Sequence, residues 1–325
     1  MVAAADPPGT GPDGVPDARE VDLPRLQAGA APQRLLSTLL GDYWYNRAEH
    51  LPSAALVTLL GDFGVTPVGA RAALSRLARR GVLESSKVGR YTYYGLTPQA
   101  AKVLSEGASR ILTFGQRYEP WDGHWRIAAF SVPEEQRDAR RAVRNRLRWL
   151  GFAPLYDGMW VTPRPVAAAA RRGFDELGVA GATVLTTTVD PPIDGPRHPI
   201  DAWDLTDLSR RYRDFITSYT GLLARARAGA IDASEALTAR TAVMEAWRYF
   251  PSLDPDLPVE LLPPHWPRLE AHRVFAEIYD ALAPNAVDRV RQVVAEHSDE
   301  LAELVRHHHS DQPDGTGRTA PARLA

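Results

Sequence analysis

The densest group of basic side chains lies between Gly64 and Gly81, in GVTPVGARAALSRLARRG, which carries four arginines and no acidic residue. Thr66 followed by Pro67 is typical of a helix start, because a threonine hydroxyl caps free backbone N–H groups and proline at the first position loses no hydrogen bond. At about 100° per residue, one face of this helix is apolar. That face holds Ala70, Leu74, Leu77, Ala78 and Gly81. A basic face opposite such a stripe attracts polyanions.

The face opposite the apolar stripe, with its flank, has the composition of a DNA-recognition surface. Its first turns carry small side chains, which allow a helix to approach a groove floor, and its later turns carry arginines, which reach phosphates or guanine edges. We expect base contacts from Thr66, Val68, Gly69, Ala72, Ser75 and Arg76. We expect phosphate contacts from Arg71, Arg79, Arg80, Lys87, Arg90 and Tyr91.

Two neighbouring elements would position this helix. The segment PSAALVTLLGDFG predicts a preceding helix that ends at Gly64, so that a tight turn joins two helices as in a helix-turn-helix. The following segment, GVLESSKVGRYTYYGL, predicts two short strands around a turn that carries Lys87 and Arg90. A basic hairpin directly after such a helix predicts a winged helix over residues 32–115. The alternative is a solvated basic helix on a helical bundle.

The remaining chain indicates a multidomain α+β protein. Its 325 residues exceed the usual size of one core, and 44% hydrophobic with 24% charged residues is a globular composition. Strand and helix patterns alternate over residues 121–190, residues 200–307 are helical in pattern, and residues 1–31 and 308–325 have the composition of disordered tails. The absence of cysteine excludes disulfides and cysteine zinc sites. We find no pattern of a membrane span or signal peptide, so we expect a cytoplasmic protein.

Several segments resemble the PaaX family of bacterial transcriptional repressors. In chain order they are RLLSTLLGDYW, LVTLLGDFGVTPVGARAALSRLARRGVLESSKVGRYTYYGLTP, GFAPLYDGMWVTP and FPSLDPDLPVELLPPHWPRLEAHRVFAEIYDALAP, between Arg34 and Pro284. The resemblance implies a homodimer that represses phenylacetate-breakdown genes from a double-stranded DNA operator and is released by an aryl acyl-CoA effector such as phenylacetyl-CoA. It also implies an N-terminal winged helix, a central ferredoxin-like domain and a helical C-terminal domain. For the dimer we expect an inverted-repeat operator.

The central body is also similar to the Cas2 ribonucleases, which are ferredoxin-like. In that family an acidic residue at the end of the first strand holds a metal ion that activates water. Ser131 stands at the matching place in FSVP, and a neutral hydroxyl lacks the charge that a hard divalent cation requires. We therefore expect no enzymatic activity, no metal and no cofactor. The alternative is a metal-dependent nuclease, or an enzyme that uses acyl-CoA, built on this domain.

Other candidate sites have weaker patterns. GTGPDG, residues 9–14, matches a dinucleotide-binding fingerprint but lacks the strand before it and the helix after it. His265 and His272 lie seven residues apart without acidic partners for a metal. A CoA effector needs basic side chains near its phosphates, and spacing does not rank the candidates. They are Arg126, Arg164, Arg248 and Arg273.

Overall fold

The chain was analysed as a computed structural model that describes residues 32–133, 135–188 and 198–311. The GTGPDG segment lies outside the described residues. Helices dominate both ends of the described chain, and each of two antiparallel sheets is confined to one region. None of the described helices combines the length and the apolar composition that crossing a membrane requires.

The N-terminal body, residues 32–113, contains the predicted helices and hairpin. Its elements are α1 (Pro32–Tyr43), β1 (Leu51–Pro52), α2 (Ser53–Gly61), α3 (Pro67–Arg79), β2 (Leu83–Val88), β3 (Tyr91–Leu96) and α4 (Pro98–Thr113). The strands form an antiparallel sheet in the order β1-β3-β2, with Leu83 opposite Leu96 and Val88 opposite Tyr91. Thr97 caps α4, because its hydroxyl accepts a hydrogen bond from the Ala100 backbone N–H (3.2 Å). This order of elements is the one that the winged-helix prediction requires.

The central body has the order of elements of a ferredoxin-like fold. It contains β4 (Trp125–Phe130), α5 (Arg137–Trp149), β5 (Ala153–Tyr156), β6 (Met159–Thr162), α6 (Ala167–Glu176) and β7 (Ala182–Thr187). The sheet order is β5-β6-β4-β7, and all neighbouring strands are antiparallel. Both helices cover one face of the sheet, where Val143, Leu147 and Phe174 pack against Trp160. Trp125 lies on the other face, which a short turn of 3-10 helix at Pro199–Ala202 and Trp203 cover.

The C-terminal region is helical, as expected. It contains α7 (Leu205–Arg227), α8 (Ala233–Trp247), α9 (Phe250–Leu253), α10 (Arg268–Ala281), α11 (Ala283–Ala295) and α12 (Asp299–Glu303). These helices do not form a separate core. Leu36 and Leu40 of α1, Leu60 of α2, Trp247 of α8 and Phe275 of α10 are members of one continuous buried cluster. The N-terminal body and the C-terminal helices therefore fold around a common interior.

Polar contacts also join these two regions. Asp62, just after α2, accepts two hydrogen bonds from Arg289 of α11, at 2.8 and 2.9 Å. Arg34 of α1 pairs with Glu245 of α8. Arg240 of α8, which has no exposed surface, lies with one guanidinium nitrogen 3.5 Å from the Asp42 carboxylate at the end of α1. Burial raises the pKa of Asp42, although the charge of Arg240 opposes the rise.

The expectation of a tail from residue 308 is wrong at its start. His308 is buried, its ring is stacked on Tyr45 with 3.7 Å between ring centroids, and Ser310 donates a hydrogen bond to Asp280 (2.6 Å). Burial lowers the pKa of the neighbouring His307 to about 4. His307, His308 and His309 therefore belong to a segment packed against α1 and α10. The composition of residues 308–325 does not predict this packing, because only the folded chain brings Tyr45 and Asp280 to these histidines.

Candidate nucleic-acid interface

Helix α3 is held with one face in the core and the other in solvent. Thr66 caps its first turn by accepting a hydrogen bond from the Gly69 backbone N–H (3.2 Å). Gly64 and Gly81 flank the helix with φ angles of +74° and +70°, a region that non-glycine residues disfavour. The buried side chains of the helix are Ala70, Ala73, Leu74 and Leu77. The predicted apolar face is therefore present, although Ala78 is only half-buried and Gly81, which lies after the end of the helix, is exposed.

The face that was predicted to meet DNA is accessible. Its exposed residues are Thr66, Val68, Arg71, Ser75, Arg76 and Arg79. Gly69, Ala72 and Arg80 are half-buried. Val68 is 76% exposed, more than any other large hydrophobic side chain in the described residues. A partner that approaches this face therefore meets small and apolar surface at the start of α3 and guanidinium groups further along.

Three arginines of this face have no partner among the described residues. Arg71, Arg76 and Arg79 form no ion pair or hydrogen bond with any residue in the part of the chain that the structure describes. The first turn of α3 holds no acid, and its last turn holds Arg76 and Arg79. Arginines without partners keep their hydrogen-bond donors available for phosphate oxygens or base edges.

The hairpin of β2 and β3 adds a second basic element. Lys87, Arg90 and Tyr91 are all exposed near the turn. Arg90 donates a hydrogen bond to the Tyr91 hydroxyl (3.0 Å), and its guanidinium carbon lies 5.1 Å from the centroid of the Tyr91 ring. The two side chains therefore form one unit at the turn. Val88, 63% exposed, also lies here, and the sequence analysis did not select it.

The base of the hairpin is fixed by His50, which precedes β1. Its Nδ1 lies 2.8 Å from the Ser86 hydroxyl, and its Nε2 lies 3.4 Å from the Glu84 carboxylate. The ring packs directly on Gly95, where an added Cβ would lie 2.3 Å from a ring carbon. The hairpin turn is thus presented from a supported base, although the sequence analysis gave no role to His50 or Gly95.

The central body places Ser131 where the sequence predicted it. The residue directly follows β4, is exposed, and donates its backbone N–H to the Gly181 carbonyl (2.8 Å). Within residues 32–133, 135–188 and 198–311, no three His, Asp or Glu side chains group closely enough to hold a metal ion. His272 lies 3.3 Å from the Leu112 carbonyl and has a pKa lowered by burial, so it serves the helical core.

The four arginines proposed for an effector occupy different environments. Arg126 is buried and pairs with Asp122, whose pKa falls to about 2 mainly because of that hydrogen bond. Arg126 also donates to the His124 carbonyl (2.9 Å) and the Pro163 carbonyl (3.3 Å). Several of its donors are engaged within the fold, which leaves fewer of them for a ligand.

The other three candidates are better placed for binding. Arg164 donates to the Pro255 carbonyl (2.7 Å) and lines a cleft of about 540 Å³ together with Arg110 and Arg117. Arg248 lines a largely apolar cavity of about 190 Å³ between α1, α4 and α8. Arg273 is exposed on α10. Arg164 and Arg248 line different cavities, and Arg273 lines neither of them.

An exposed basic helix with a supported basic hairpin, joined to a ferredoxin-like domain, defines a protein of the nucleic-acid-binding regulator class. Three family models match the chain: "PaaX-like protein" at residues 31–100, "PaaX protein central Cas2-like domain" at residues 118–198 and "PaaX-like protein C-terminal domain" at residues 203–292. The chain is 28% identical over 260 residues to the transcriptional repressor PaaX of Escherichia coli (strain K12), covering 78% of this chain and 81% of that protein. The chain therefore belongs to the PaaX family, and the similarity supports a role in transcriptional repression.

A solved structure also resembles the fold. An uncharacterized protein from Mycobacterium tuberculosis superposes with a TM-score of 0.52 at 22% sequence identity, over 80% of this chain and 98% of that chain. This likeness concerns the fold alone.

Proposed function

We propose that the protein represses a catabolic operon by binding its operator with α3 and the β2–β3 hairpin. The observation that carries this proposal is the exposed face of α3, where unpaired arginines follow a turn of small residues. Thr66, Val68, Gly69, Ala72, Ser75 and Arg76 make the base contacts. Arg71, Arg79, Arg80, Lys87, Arg90 and Tyr91 contact phosphates. A homodimer in the cytoplasm places two such helices on an inverted repeat, about 34 Å apart.

The effector in this proposal is an aryl acyl-CoA such as phenylacetyl-CoA. Arg164 is one candidate for its phosphates, because the cleft beside it also contains Arg110 and Arg117, with the acids Glu119, Asp254 and Asp256 on the same lining. Arg248, at the apolar cavity, and Arg273 are further candidates. The effector must bind more tightly to a dimer geometry that does not span both half-sites than to the operator-bound geometry. A ligand shifts only an equilibrium whose states it distinguishes.

The experiment is a mobility shift with the DNA that flanks the protein's own gene, titrated with a panel of acyl-CoA esters and their free acids. Release by one ester and not by its acid supports the effector class. If no flanking fragment shifts at low salt, the protein does not bind DNA next to its own gene. Selection from a random-sequence library then tests operator binding itself.

Arg79→Ala tests the α3 assignment directly. The substitution should weaken binding to all duplexes and make the slope of log K against log salt shallower by about one unit, since one phosphate contact is lost. Arg213→Ala is the matched control, because Arg213 is an exposed arginine of α7. An unchanged salt dependence in Arg79→Ala contradicts the assignment.

The alternative is a metal-dependent nuclease or an acyl-CoA-using enzyme on the central domain. The similarity to a repressor favours the non-enzymatic function, and Ser131 at the end of β4 gives no charged metal ligand. Cleavage of RNA or DNA by the purified protein would favour the enzyme if it depends on divalent cations and is absent from a mock purification.

A further inference from the structure

Helix α5 of the central body carries a second concentration of positive charge. Its thirteen residues, RDARRAVRNRLRW, include six arginines and one acid, Asp138. Arg137, Arg141, Arg144 and Arg148 follow each other at intervals of three or four residues, which places them within an arc of about 60°. We call these four residues the α5 arginine row. The row is about 16 Å long, at about 1.5 Å per residue.

The row is accessible and weakly paired. Arg137, Arg141 and Arg148 are exposed, and Arg144 is half-buried. Arg144 lies 3.4 Å from Asp157, but the Asp157 side chain is 97% exposed, so water screens the pair. Arg137 and Arg141 have no ion pair or hydrogen bond with any residue of the described ranges.

This placement works against the stability of the helix. Arg137 is the first helical residue, where the positive end of the helix dipole disfavours a cation. Arg137 with Arg141, and Arg144 with Arg148, are like-charge neighbours four residues apart, which destabilise a helix. The core contacts of α5 come from Val143 and Leu147 instead. The row therefore contributes little to folding.

The row leads to a groove of about 430 Å³. Its lining includes Arg144, Arg148, Tyr156, Asp157 and Trp160, and Trp160 is buried whereas Tyr156 is open to solvent. The guanidinium of Arg148 lies 5.3 Å from the Trp160 ring centroid, and Tyr156 is 46% exposed. A line of cations beside an exposed aromatic ring suits a strand whose charges repeat along its length and whose bases are flat.

We propose that the α5 arginine row binds the phosphodiester backbone of a nucleic acid, at a surface separate from α3 and the hairpin. One strand of B-DNA carries a charge per about 3.4 Å of axis, so the row spans roughly five phosphates. Duplex and single-stranded nucleic acids share this backbone, and the test separates them.

The test measures binding of the full chain to a random-sequence 30-base-pair duplex and to a 30-nucleotide single strand by fluorescence anisotropy between 50 and 300 mM salt. We compare wild type with Arg137→Gln/Arg141→Gln, since glutamine keeps helix propensity and removes the charge. The control is Arg172→Gln/Arg213→Gln, which removes two exposed arginines outside the row.

We expect the row variant to lose about tenfold in affinity at 50 mM salt for at least one of the two nucleic acids, and its salt slope to become shallower by about two units for the duplex or somewhat less for the single strand. Arg137→Lys/Arg141→Lys should keep the wild-type slope, because the slope reports charge. Which nucleic acid shows the larger loss identifies the form that binds.

Two results overturn the proposal. One is a row variant that is folded, by its melting curve, and binds both nucleic acids like the control. The other is a variant whose dimer dissociates in analytical ultracentrifugation without a change in salt slope, which makes the row an interface between copies.

Discussion

Replacing Arg240 with methionine tests how the N-terminal body is joined to the C-terminal helices. The side chain of Arg240 is buried completely. Its Nε donates to the Tyr279 carbonyl and one terminal nitrogen donates to the His308 carbonyl, both at 2.9 Å. Its guanidinium carbon lies 3.6 Å from the Tyr279 ring centroid, and Asp42 faces it from α1. One residue of α8 thus contacts α1, α10 and the segment after α12.

The magnitude follows from what the substitution leaves behind. Methionine fills much of the arginine volume, so the cavity left is small. The Asp42 carboxylate loses its cation in a buried place, however, and two carbonyls lose their donor. Removing one partner of a buried ion pair costs about 3–5 kcal/mol in free energy of unfolding. Protonation of Asp42 offsets part of this cost, since burial already raises its pKa, and we expect a loss of about 3 kcal/mol at pH 7.

Urea unfolding followed by tryptophan fluorescence measures this loss. The same measurement on Asp42→Asn and on the double variant completes a thermodynamic cycle. Asparagine can still accept the hydrogen bond from the Tyr279 hydroxyl, which lies 3.1 Å from Asp42. We therefore expect the double variant to be more stable than the sum of the single losses implies, by about 1–3 kcal/mol.

Arg213→Met, on the exposed surface of α7, is the control and should change the free energy of unfolding by less than about 0.5 kcal/mol. A loss below about 1 kcal/mol for Arg240→Met, or strict additivity with Asp42→Asn, would refute the reasoning. Either result would mean that the buried Asp42–Arg240 pair does not help to join the two regions.

Three further predictions concern single positions. Gly95→Ala should destabilise the protein by about 1–3 kcal/mol in urea unfolding, because its Cβ would displace His50 from the base of the hairpin. Thr66→Ala should cost about 1 kcal/mol through the lost cap of α3, whereas Thr66→Ser should retain the cap. His307 is neutral in the folded protein down to about pH 4, whereas the unfolded chain takes up a proton near pH 6.5. The contribution of His307 to the free energy of unfolding is therefore present above pH 6.5 and is lost as the pH falls toward 4, by at most about 3 kcal/mol. His307→Gln should flatten the dependence of the free energy of unfolding on pH over that window.

Local elements were predictable where a few neighbouring residues decide the conformation. Thr66 with Pro67, and Thr97 with Pro98, each specify a helix start, and both hydroxyls accept capping hydrogen bonds. The spacing of Leu74 and Leu77 specified which face of α3 is buried. The exposed arginines of α3 followed from that face, because a helix has only one opposite side.

Contacts between distant parts of the chain were not predictable. Arg126 and Arg164 look alike in the sequence, since each is a basic residue in or just after a strand. In the fold, however, Arg126 is buried against Asp122 and Arg164 lines a cleft. Arg164 reaches the carbonyl of Pro255, 91 residues away along the chain. No periodicity encodes such pairs, since they depend on how the bodies pack. The shared core of the two helical regions was missed for the same reason.

That shared core constrains how a signal reaches α3. Helix α3 has no core of its own, because its buried face rests on α1 and α2 within the continuous cluster. Asp62 ties the end of α2 to Arg289 of α11, and Asp42 ties the end of α1 to Arg240 of α8. A ligand that moves α8 or α11 must therefore also move the supports of α3 or break these pairs. If the protein acts as we propose, regulation does not require a flexible linker between α3 and an effector site in the C-terminal helices, since the packed interior joins these regions.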